Sequence, residues 1–351
     1  MIRVGLVGFG MAGRVFHAPL ISSVEGLELA AVVERNSDTA VARYPGITVY
    51  RSLEDLLADA SLGLFVLATP NGTHFPLAKE LLKAGKNVVV DKPMTLTSAE
   101  AAELIGVAKE HGVLLAPFQS RRWDSDFLTL QKLLHEGSLG RLVACESRLD
   151  RWRPATLTER LWKESAEAGG GKLLDLGPHL VDQALVLFGK PVAVGAEIVR
   201  EKDGPGVDDA FTIRLRYPGL AVTLGANSLS LPAAPRFHLR GTKGGYVKNG
   251  VDPQEAALNK ITHINTRTED PAANWGVLHV GIEVGSVTRP VPALPGDYRL
   301  YYAGIRDALL GKAPPPVTGI DGWRVARVLE WAAESSEKRR EIACDWSDEP
   351  K

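Results

Sequence analysis

The sequence predicts two domains: an N-terminal α/β domain with a doubly wound parallel sheet, and a C-terminal α+β domain with an open, mostly antiparallel sheet. The chain has 351 residues, more than one hydrophobic core usually holds. Strand-like and helix-like segments alternate up to about residue 121, and strand-like runs separated by turn signals dominate afterwards. We therefore divide the chain into domains of residues 1–121 and 122–351.

The first domain is predicted from apolar, β-branched runs that alternate with helix-like segments. The candidate strands are residues 2–8, 27–34, 48–50, 62–68, 87–90 and 113–116, and the candidate helices are 12–24, 52–58, 75–84 and 98–111. The runs LGLFVLAT and NVVV are almost wholly apolar, which is typical of parallel strands buried on both faces. Such alternation indicates a parallel sheet covered by helices on both sides.

The second domain begins with a predicted helix at 127–135 and a long strand-like stretch at 141–150. A Gly-rich and helical segment covers 169–188, and further helices are predicted at 298–310 and 322–336. Between them lie strand-like runs at 192–201, 210–217, 221–231 and 236–241, separated by turn signals such as YPG and GTKGG. Short runs joined by turns favour antiparallel pairing.

Composition excludes several classes of function. Lys and Arg total 41 against 42 Asp and Glu, so no excess of positive charge is available to neutralise a nucleic acid. Cys145 and Cys344 lie far apart and no HExxH spacing occurs, so we expect neither a disulfide framework nor a bound metal. No secretory signal or bilayer-length apolar stretch is visible, which predicts a cytoplasmic protein without a membrane partner.

A GxGxxG motif, GFGMAG, follows the first predicted strand and precedes a predicted helix. In this context it is typical of a dinucleotide-binding Rossmann domain. Gly8 permits a tight turn, Gly10 lets the backbone approach a pyrophosphate, and Gly13 lets helix and strand pack closely. Together with Met11 and Ala12 these residues form the predicted phosphate-binding turn, where helix N–H groups face the anion.

Glu34 ends the second predicted strand, about 20 residues after the last glycine, where a carboxylate accepts the ribose hydroxyls of NAD. It would also repel the 2′-phosphate of NADP, so we favour NAD. Arg35 follows immediately and could instead pair with that phosphate, which keeps NADP as the alternative. A third interpretation, that both residues are solvated charges at a strand end, leaves the cofactor preference open.

Four further segments occur in a recognisable order: ATPNGTH at 68–74, VVVDKP at 88–93, FQSRRWDSDFLTL at 118–130 and GGGKLLDLGPHLVDQAL at 169–185. In this order they resemble the Gfo/Idh/MocA oxidoreductases, which include glucose–fructose oxidoreductase and inositol dehydrogenases. The resemblance covers nearly the whole chain and is closest to the scyllo-inositol dehydrogenase subgroup. The chain departs from it at Asp91, where Glu is usual, and at Glu34, where NADP-using relatives carry small hydroxyl residues.

The resemblance implies a catalytic trio of Lys92, Asp175 and His179. His179 would be the general base in oxidation and the general acid in reduction, since imidazole titrates near working pH. Lys92 would stabilise negative charge on the reacting oxygen, and Asp175 would bind a substrate hydroxyl. From the residues alone, we read Gly177 and Pro178 as a helix start, with His179 in the first turn and Asp175 just outside the helix. The alternative is a structural histidine and an ordinary surface lysine.

The resemblance also implies further contacts. Cofactor contacts are expected from Thr69, Pro70, Asn71, His74, Asp91 and Trp162, although Trp162 also suits a core position. Gln119, Arg121 and Arg122 resemble pocket residues, and Arg151 and Arg153 could donate to a polyol if they are not merely solvated.

The function implied is hydride transfer between NAD, or NADP, and a ring hydroxyl of a cyclitol or sugar. Alternatives are an aldose, amino-sugar or keto-sugar substrate, or a non-catalytic dinucleotide-binding regulator of the same fold. Because the open sheet would leave one face uncovered, we expect a homodimer or homotetramer.

Overall fold

A computed structural model describes residues 1–155, 169–259 and 261–351, and within these ranges the strands form two separate sheets. The first sheet uses strands from the first 117 residues, and the second uses strands from Leu142 onwards. The predicted combination of a parallel and a mostly antiparallel sheet is confirmed.

The first sheet has six strands in the described residues, all paired in parallel. They are β1 (Ile2–Val7), β2 (Leu27–Val33), β3 (Thr48–Tyr50), β4 (Leu64–Leu67), β5 (Val88–Val90) and β6 (Leu115–Pro117). Their order is β3-β2-β1-β4-β5-β6. The order reverses between β1 and β4, and a crevice therefore opens at the carboxyl ends of these strands, where such folds bind ligands.

Four of the five helices of this domain lie close to predicted positions. The five helices are α1 (Ala18–Ser22), α2 (Thr39–Arg43), α3 (Leu53–Leu57), α4 (His74–Lys83) and α5 (Ser98–His111). A π-helical turn, Gly13–His17, precedes α1, so the helix predicted at 12–24 is not a regular α-helix throughout. The bounds of α5 match the prediction because both ends carry local signals: Thr97 and Glu100 form a capping box, and Gly112 is left-handed with φ 64°.

The remaining helices of the described residues are α6 (Ser125–His135), α7 (Lys172–Phe188), α8 (Gln254–Leu258), α9 (Arg299–Leu309) and α10 (Gly319–Lys338). The strands are β7 (Leu142–Arg148), β8 (Ala193–Val199), β9 (Ala210–Tyr217), β10 (Leu220–Asn227), β11 (Phe237–Gly241), β12 (Gly244–Lys248), β13 (Gly276–Gly281), β14 (Ser286–Val291) and β15 (Ile342–Ala343). The sheet order is β14-β13-β12-β11-β7-β10-β9-β8-β15, and only β7 and β10 pair in parallel. The helices α2 and α8 and the strands β12 to β15 were not predicted from the sequence.

The closing helices pack against both domains. Tyr298, Tyr301 and Tyr302 are buried in the core beneath β1 and α1, although the chain places them after the second sheet. Along α10, Trp323 joins the core of the first domain, whereas Leu329 joins the core beside the second sheet. The division at residues 121 and 122 stays a prediction.

None of the helices in the described ranges is both long enough and apolar enough to span a bilayer. The cytoplasmic location stays a prediction.

Candidate active site

A cavity of about 1080 Å³ runs along the carboxyl edge of the first sheet and reaches α7 in the second domain. It is larger than the roughly 300–1,000 Å³ of a typical site for a drug-sized ligand. Glu34, directly after β2, and His179, in α7 of the second domain, both line it, and we call the parts of the cavity beside them the Glu34 end and the His179 end. The turn that follows β1 lines it as well.

The three glycines of this turn have the geometry that their predicted roles require. Gly8 has φ +98°, and a Cβ there would lie 2.7 Å from the Ala68 carbonyl oxygen. A Cβ on Gly13 would lie 2.1 Å from the Gly8 carbonyl oxygen, so only glycine allows the helical turn to approach β1 this closely. A Cβ on Gly10 would meet nothing within 4 Å, because Gly10 faces the cavity. The turn thus presents an open backbone edge, as a pyrophosphate requires.

Met11 and Ala12, the two residues predicted to complete this turn, also line the cavity.

Glu34 is buried at its end of the cavity and is held by three donors. Its Oε1 accepts a hydrogen bond from Ser37 at 2.8 Å and one from the Thr39 hydroxyl, and its Oε2 accepts the Ala40 N–H at 2.8 Å. Burial by itself would raise the pKa of Glu34, but these hydrogen bonds hold it below its ordinary value. The carboxylate is therefore ionised at neutral pH and has a lone pair left on Oε2.

Arg35 and Arg51 also line the Glu34 end. Arg35 is exposed, whereas Arg51 donates to the carbonyl oxygens of Glu34 and Ser37 at 2.9 and 2.6 Å and pairs with Asp38 at 2.7 Å. The Glu34 end of the cavity therefore carries both a carboxylate and two guanidinium groups.

The loop after β4 brings Thr69, Pro70 and Asn71 to the cavity wall. Asn71 is nearly buried, and its Nδ2 donates to the Gly169 carbonyl oxygen at 2.8 Å. This bond ties the loop of the first domain to the segment that leads into α7.

His74, predicted as a cofactor contact, does not line the cavity. It is fully buried, and its ring nitrogens lie 2.8 and 2.9 Å from the carbonyl oxygens of Pro93 and Thr69. The His74 side chain lies behind the loop that follows β4 and holds this loop in position.

Asp91 and Lys92 follow β5 and line the cavity. Asp91 Oδ1 accepts the Lys92 backbone N–H at 2.8 Å and lies 3.8 Å from Nε2 of the buried His17. Burial alone would raise the pKa of Asp91, but His17 and Lys92 hold it below its ordinary value. Lys92 Nζ reaches across to α7, where it donates to the Asp175 carbonyl oxygen at 2.6 Å and lies 3.3 Å from Asp175 Oδ1.

The predicted start of α7 is wrong. The helix begins at Lys172 rather than at Pro178, so Asp175 lies in the first turn and His179 in the second. The reason is a cap from a distant segment: Asp208 accepts the Leu173 N–H at 2.7 Å with its side chain and the Lys172 N–H at 2.9 Å with its carbonyl oxygen. Pro178 is tolerated inside the helix at the loss of one backbone hydrogen bond.

His179 is 7% exposed and lines the cavity near Lys92 and Asp175. Its Nδ1 is buried and has no hydrogen-bond partner among the described residues. Burial lowers the pKa of His179 well below 6.5, and the charges of Lys92 and Arg121 lower it further, while Asp175 acts in the opposite direction. The imidazole is therefore neutral at pH 7 and able to accept a proton.

A pair that the sequence analysis did not predict stands at the same end of the cavity. Arg121 pairs with Asp124 at 3.2 Å and with Glu255 at 3.0 Å, and Glu255 also lies 3.9 Å from Arg151. Arg121 and Glu255 are 134 positions apart in the chain. Glu255 ends the sequence VDPQE at 251–255, for which no role was predicted.

Of the other residues predicted to bind substrate, Arg151 and Arg153 line the cavity. Arg122 does not, because its guanidinium binds both oxygens of Asp182 at 2.8 and 2.7 Å and lies 3.6 Å from Asp321. Gln119 is buried behind α7, where its Nε2 lies 3.5 Å from the Pro178 carbonyl oxygen. Trp162 lies outside the described residues.

Metal ligands were not expected, and no group of three His, Cys, Asp or Glu side chains in the described ranges is arranged to hold a metal ion.

Two family descriptions match the chain. Residues 2–118 match the Gfo/Idh/MocA oxidoreductase family with an NAD-binding Rossmann fold, and residues 127–247 match the Gfo/Idh/MocA C-terminal domain.

Curated proteins of similar sequence match over nearly their whole length. The chain is 41% identical over 347 residues to the uncharacterised oxidoreductase YdgJ of Escherichia coli, covering 96% of this chain and 97% of YdgJ. It is 34% identical over 343 residues to the scyllo-inositol 2-dehydrogenase (NADP⁺) IolW of Bacillus subtilis, covering 97% and 95%.

Solved structures have the same fold. YPO2259 of Yersinia pestis superimposes with a TM-score of 0.92 at 41% identity and 99% coverage of this chain and 98% of that one. The oxidoreductase yvaA of Bacillus subtilis superimposes with a TM-score of 0.93 at 32% identity, covering 98% of both chains.

Proposed function

The chain belongs to the Gfo/Idh/MocA family of oxidoreductases with an NAD-binding Rossmann fold, and we propose that it transfers a hydride between a nicotinamide dinucleotide and a ring hydroxyl of a cyclitol or sugar. The observation that carries this proposal is that Lys92, Asp175 and His179, contributed by two domains, meet in one cavity with a glycine-rich turn and Glu34.

The cavity fits such a cofactor. Gly8 to Gly13 would hold the pyrophosphate at the start of the helical turn, and Glu34 would accept a ribose hydroxyl on the remaining lone pair of Oε2. Thr69, Pro70 and Asn71 would then lie beside the second ribose and the nicotinamide. The ionised Glu34 favours NAD over NADP, while Arg35 is the residue that would favour NADP. When bound, the cofactor takes up or releases the hydride at its nicotinamide ring.

His179 would accept the hydroxyl proton in oxidation and return it in reduction. Its low pKa keeps the ring neutral at pH 7, and burial leaves little water to compete for the proton.

Lys92 would bind the reacting oxygen. An ammonium has three N–H donors, and two of them face the carbonyl oxygen and the carboxylate of Asp175. The third is available to the substrate, where it would stabilise negative charge as the proton leaves. Asp175, Arg151 and Arg153 would bind the neighbouring hydroxyls.

IolW is named for scyllo-inositol, and its similarity to this chain favours a cyclitol. An aldose, an amino sugar or a keto-sugar reduced in the opposite direction would suit the same residues. A non-catalytic dinucleotide-binding regulator would have no need of Lys92, Asp175 and His179 together, and their joint presence favours an enzyme. The expectation of a homodimer or homotetramer stays a prediction.

The test is a substrate panel with both cofactors. Purified protein is incubated with NAD or NADP and inositols, aldoses or amino sugars, and with the reduced cofactors and keto-sugars, while the absorbance of reduced nicotinamide is followed. We expect turnover of at least one cyclitol or sugar, which Lys92→Ala abolishes. A protein that binds NADH but turns over no member in either direction would be a regulator.

A further inference from the structure

Four basic side chains line the wall that the second domain contributes to the cavity: Arg151, Arg153, Lys172 and Lys202, here called the basic cluster. They come from three segments. Arg151 and Arg153 follow β7, Lys172 is the first residue of α7, and Lys202 follows β8. The cluster could not be predicted from the sequence because its residues are far apart in the chain. The fold brings the four charges to one wall.

The acids nearby are engaged elsewhere. Glu255 is 3.9 Å from Arg151 but 3.0 Å from Arg121. Asp208 caps α7, and Asp209 accepts the backbone N–H groups of residues 201 and 202 at 2.7 and 3.1 Å.

Within the described ranges, no carboxylate lies at ion-pair distance from the side chains of Arg153, Lys172 or Lys202. Among the residues that the structure describes, Lys202 Nζ donates to the Ala155 carbonyl oxygen alone, at 3.2 Å. Three of the four cations of the basic cluster therefore have no ion-pair partner among the described residues, although Asp175, Asp208, Asp209 and Glu255 line the same cavity.

The charges of the cluster act on one another. Burial lowers the pKa of Lys172, and Arg151, Lys202 and Arg153 lower it further, while Asp175 acts in the opposite direction. Burial is also the main cause that lowers the pKa of Arg151. Arg151, Lys172 and Lys202 are half-buried and Arg153 is exposed. Holding these like charges close together costs free energy, and a bound anion would offset that cost.

We infer that the basic cluster binds an anionic substituent, a carboxylate or a phosphate, on the sugar or polyol that the enzyme oxidises or reduces. The inference rests on the proposed function and narrows its substrate class to acidic sugars or polyols. Lys172 and Asp175 are three positions apart on α7 and so share one face of the helix. The anionic group would thus lie about one helical turn, roughly 5 Å, from the residue that meets Lys92.

Two other arrangements are open to test. The cluster could contact the phosphates of the cofactor rather than the substrate. Alternatively, Glu159, Glu164 and Glu167, which belong to the segment outside the described residues, could neutralise it. Each arrangement predicts a different pattern of binding.

The first experiment uses calorimetry on the full-length protein. NADH binding is measured first, and then inorganic phosphate and acetate are titrated into the NADH complex, because neither probe needs a matching sugar ring. We expect phosphate or acetate to bind at millimolar concentration, and Lys172→Gln to weaken that binding about tenfold, or about 1.4 kcal/mol, because it removes one charged donor. Lys172→Arg should retain it. Lys312→Gln, which replaces an exposed lysine outside the cavity, should change nothing.

The results separate the inference from the proposed function. Failure to bind both NADH and NADPH would contradict the proposed function itself. Normal NADH binding without anion binding would overturn only the inference. This is also the result expected if the three glutamates neutralise the basic cluster. A Lys172→Gln protein that binds NADH more weakly would show that the cluster serves the cofactor, which also overturns it.

The second experiment compares glucose, glucuronate and glucose 6-phosphate, and the matched galactose series, as binders of the NADH complex at low and high salt. The acidic members should bind more tightly than the neutral sugar, and salt should reduce only their affinity. Equal affinity across a series that binds would contradict the inference, and the preferred member distinguishes carboxylate from phosphate.

Discussion

Lys92 Nζ, at the carboxyl end of β5, lies 2.6 Å from the backbone carbonyl oxygen of Asp175 in the first turn of α7. This contact joins the two domains at the point where the reaction is proposed to occur. The acceptor of this hydrogen bond is a peptide carbonyl oxygen, which does not change its protonation state at any working pH. The position of the Lys92 ammonium therefore does not depend on the titration of this acceptor. This hydrogen bond thereby links two domains that are built around separate sheets.

Lys92→Ala should reduce kcat about 10²–10³-fold, because it removes the donor that stabilises charge on the reacting oxygen. NADH affinity, measured by fluorescence titration, should not change. Lys92→Arg should not restore the rate, since a planar guanidinium cannot replace a compact ammonium between Asp175 and the substrate. The control is Lys312→Ala on the exposed surface. Full activity of Lys92→Ala would remove this lysine from the mechanism.

The pH profile of alcohol oxidation should have an acid limb below pH 6.5. His179 must be unprotonated to accept the proton, and its folded-state pKa is well below 6.5. The measured kcat/KM should therefore be flat through neutral pH and fall only as pH drops through that lower pKa. His179→Gln should lower kcat about 10²–10⁴-fold and abolish the limb. A limb above pH 6.5, or one that persists in His179→Gln, would assign the base to another group.

Gly10→Ala and Gly13→Ala form a matched pair. A Cβ on Gly13 would meet the Gly8 carbonyl oxygen at 2.1 Å, so Gly13→Ala should lower the melting temperature clearly. A Cβ on Gly10 meets nothing within 4 Å, and Gly10→Ala should keep the stability of the wild type while it weakens NADH binding. Calorimetric melting and NADH titration check both. Normal NADH affinity in Gly10→Ala would place the pyrophosphate elsewhere.

Glu34→Ser should shift the cofactor preference toward NADP. The substitution removes an ionised carboxylate at the Glu34 end and leaves Arg35 and Arg51 as positive charges for a 2′-phosphate. It also leaves the Ala40 N–H without its acceptor, so we expect a loss of about 1–3 kcal/mol in the free energy of unfolding. The ratio of kcat/KM for NAD and NADP is the measurement, with Lys312→Ala on the exposed surface as the control. An unchanged ratio would mean that the ribose does not meet Glu34.

Arg122→Met should impair stability rather than substrate recognition. Removing one partner of a buried charge pair costs about 3–5 kcal/mol, and Asp182 would be left without its two hydrogen bonds. The variant should unfold at lower denaturant concentration, whereas KM of the folded protein should stay the same. A rise in KM at full stability would return Arg122 to the substrate site.

Much of the first domain could be predicted because its signals are local. Largely apolar strands, the glycine turn and the Thr97 capping box are each signals that lie within a few residues of the element that they define. The edge strand β14 shows the opposite case. Its residues, SVTRPV, are mostly exposed and lack an apolar alternation, so the sequence carries no pattern from which to predict a strand.

The site was predictable where its residues sit at strand ends and was missed where distant segments complete it. Lys92 follows a buried strand, and that position alone points to the crevice. The start of α7 was wrong because Asp208, far along the chain, supplies the cap. Glu255 was missed because its partner Arg121 is 134 positions away.

The crystal structure of the complex with NADH tests the central claim most directly. We predict that the nicotinamide ring will lie at the His179 end, leaving room for a carbinol carbon about 3–3.5 Å from its reactive carbon. The hydroxyl of that carbinol would then be within about 2.6–3.2 Å of both Lys92 Nζ and the His179 ring. A nicotinamide ring bound where Lys92 and His179 cannot both reach one such hydroxyl would contradict the account.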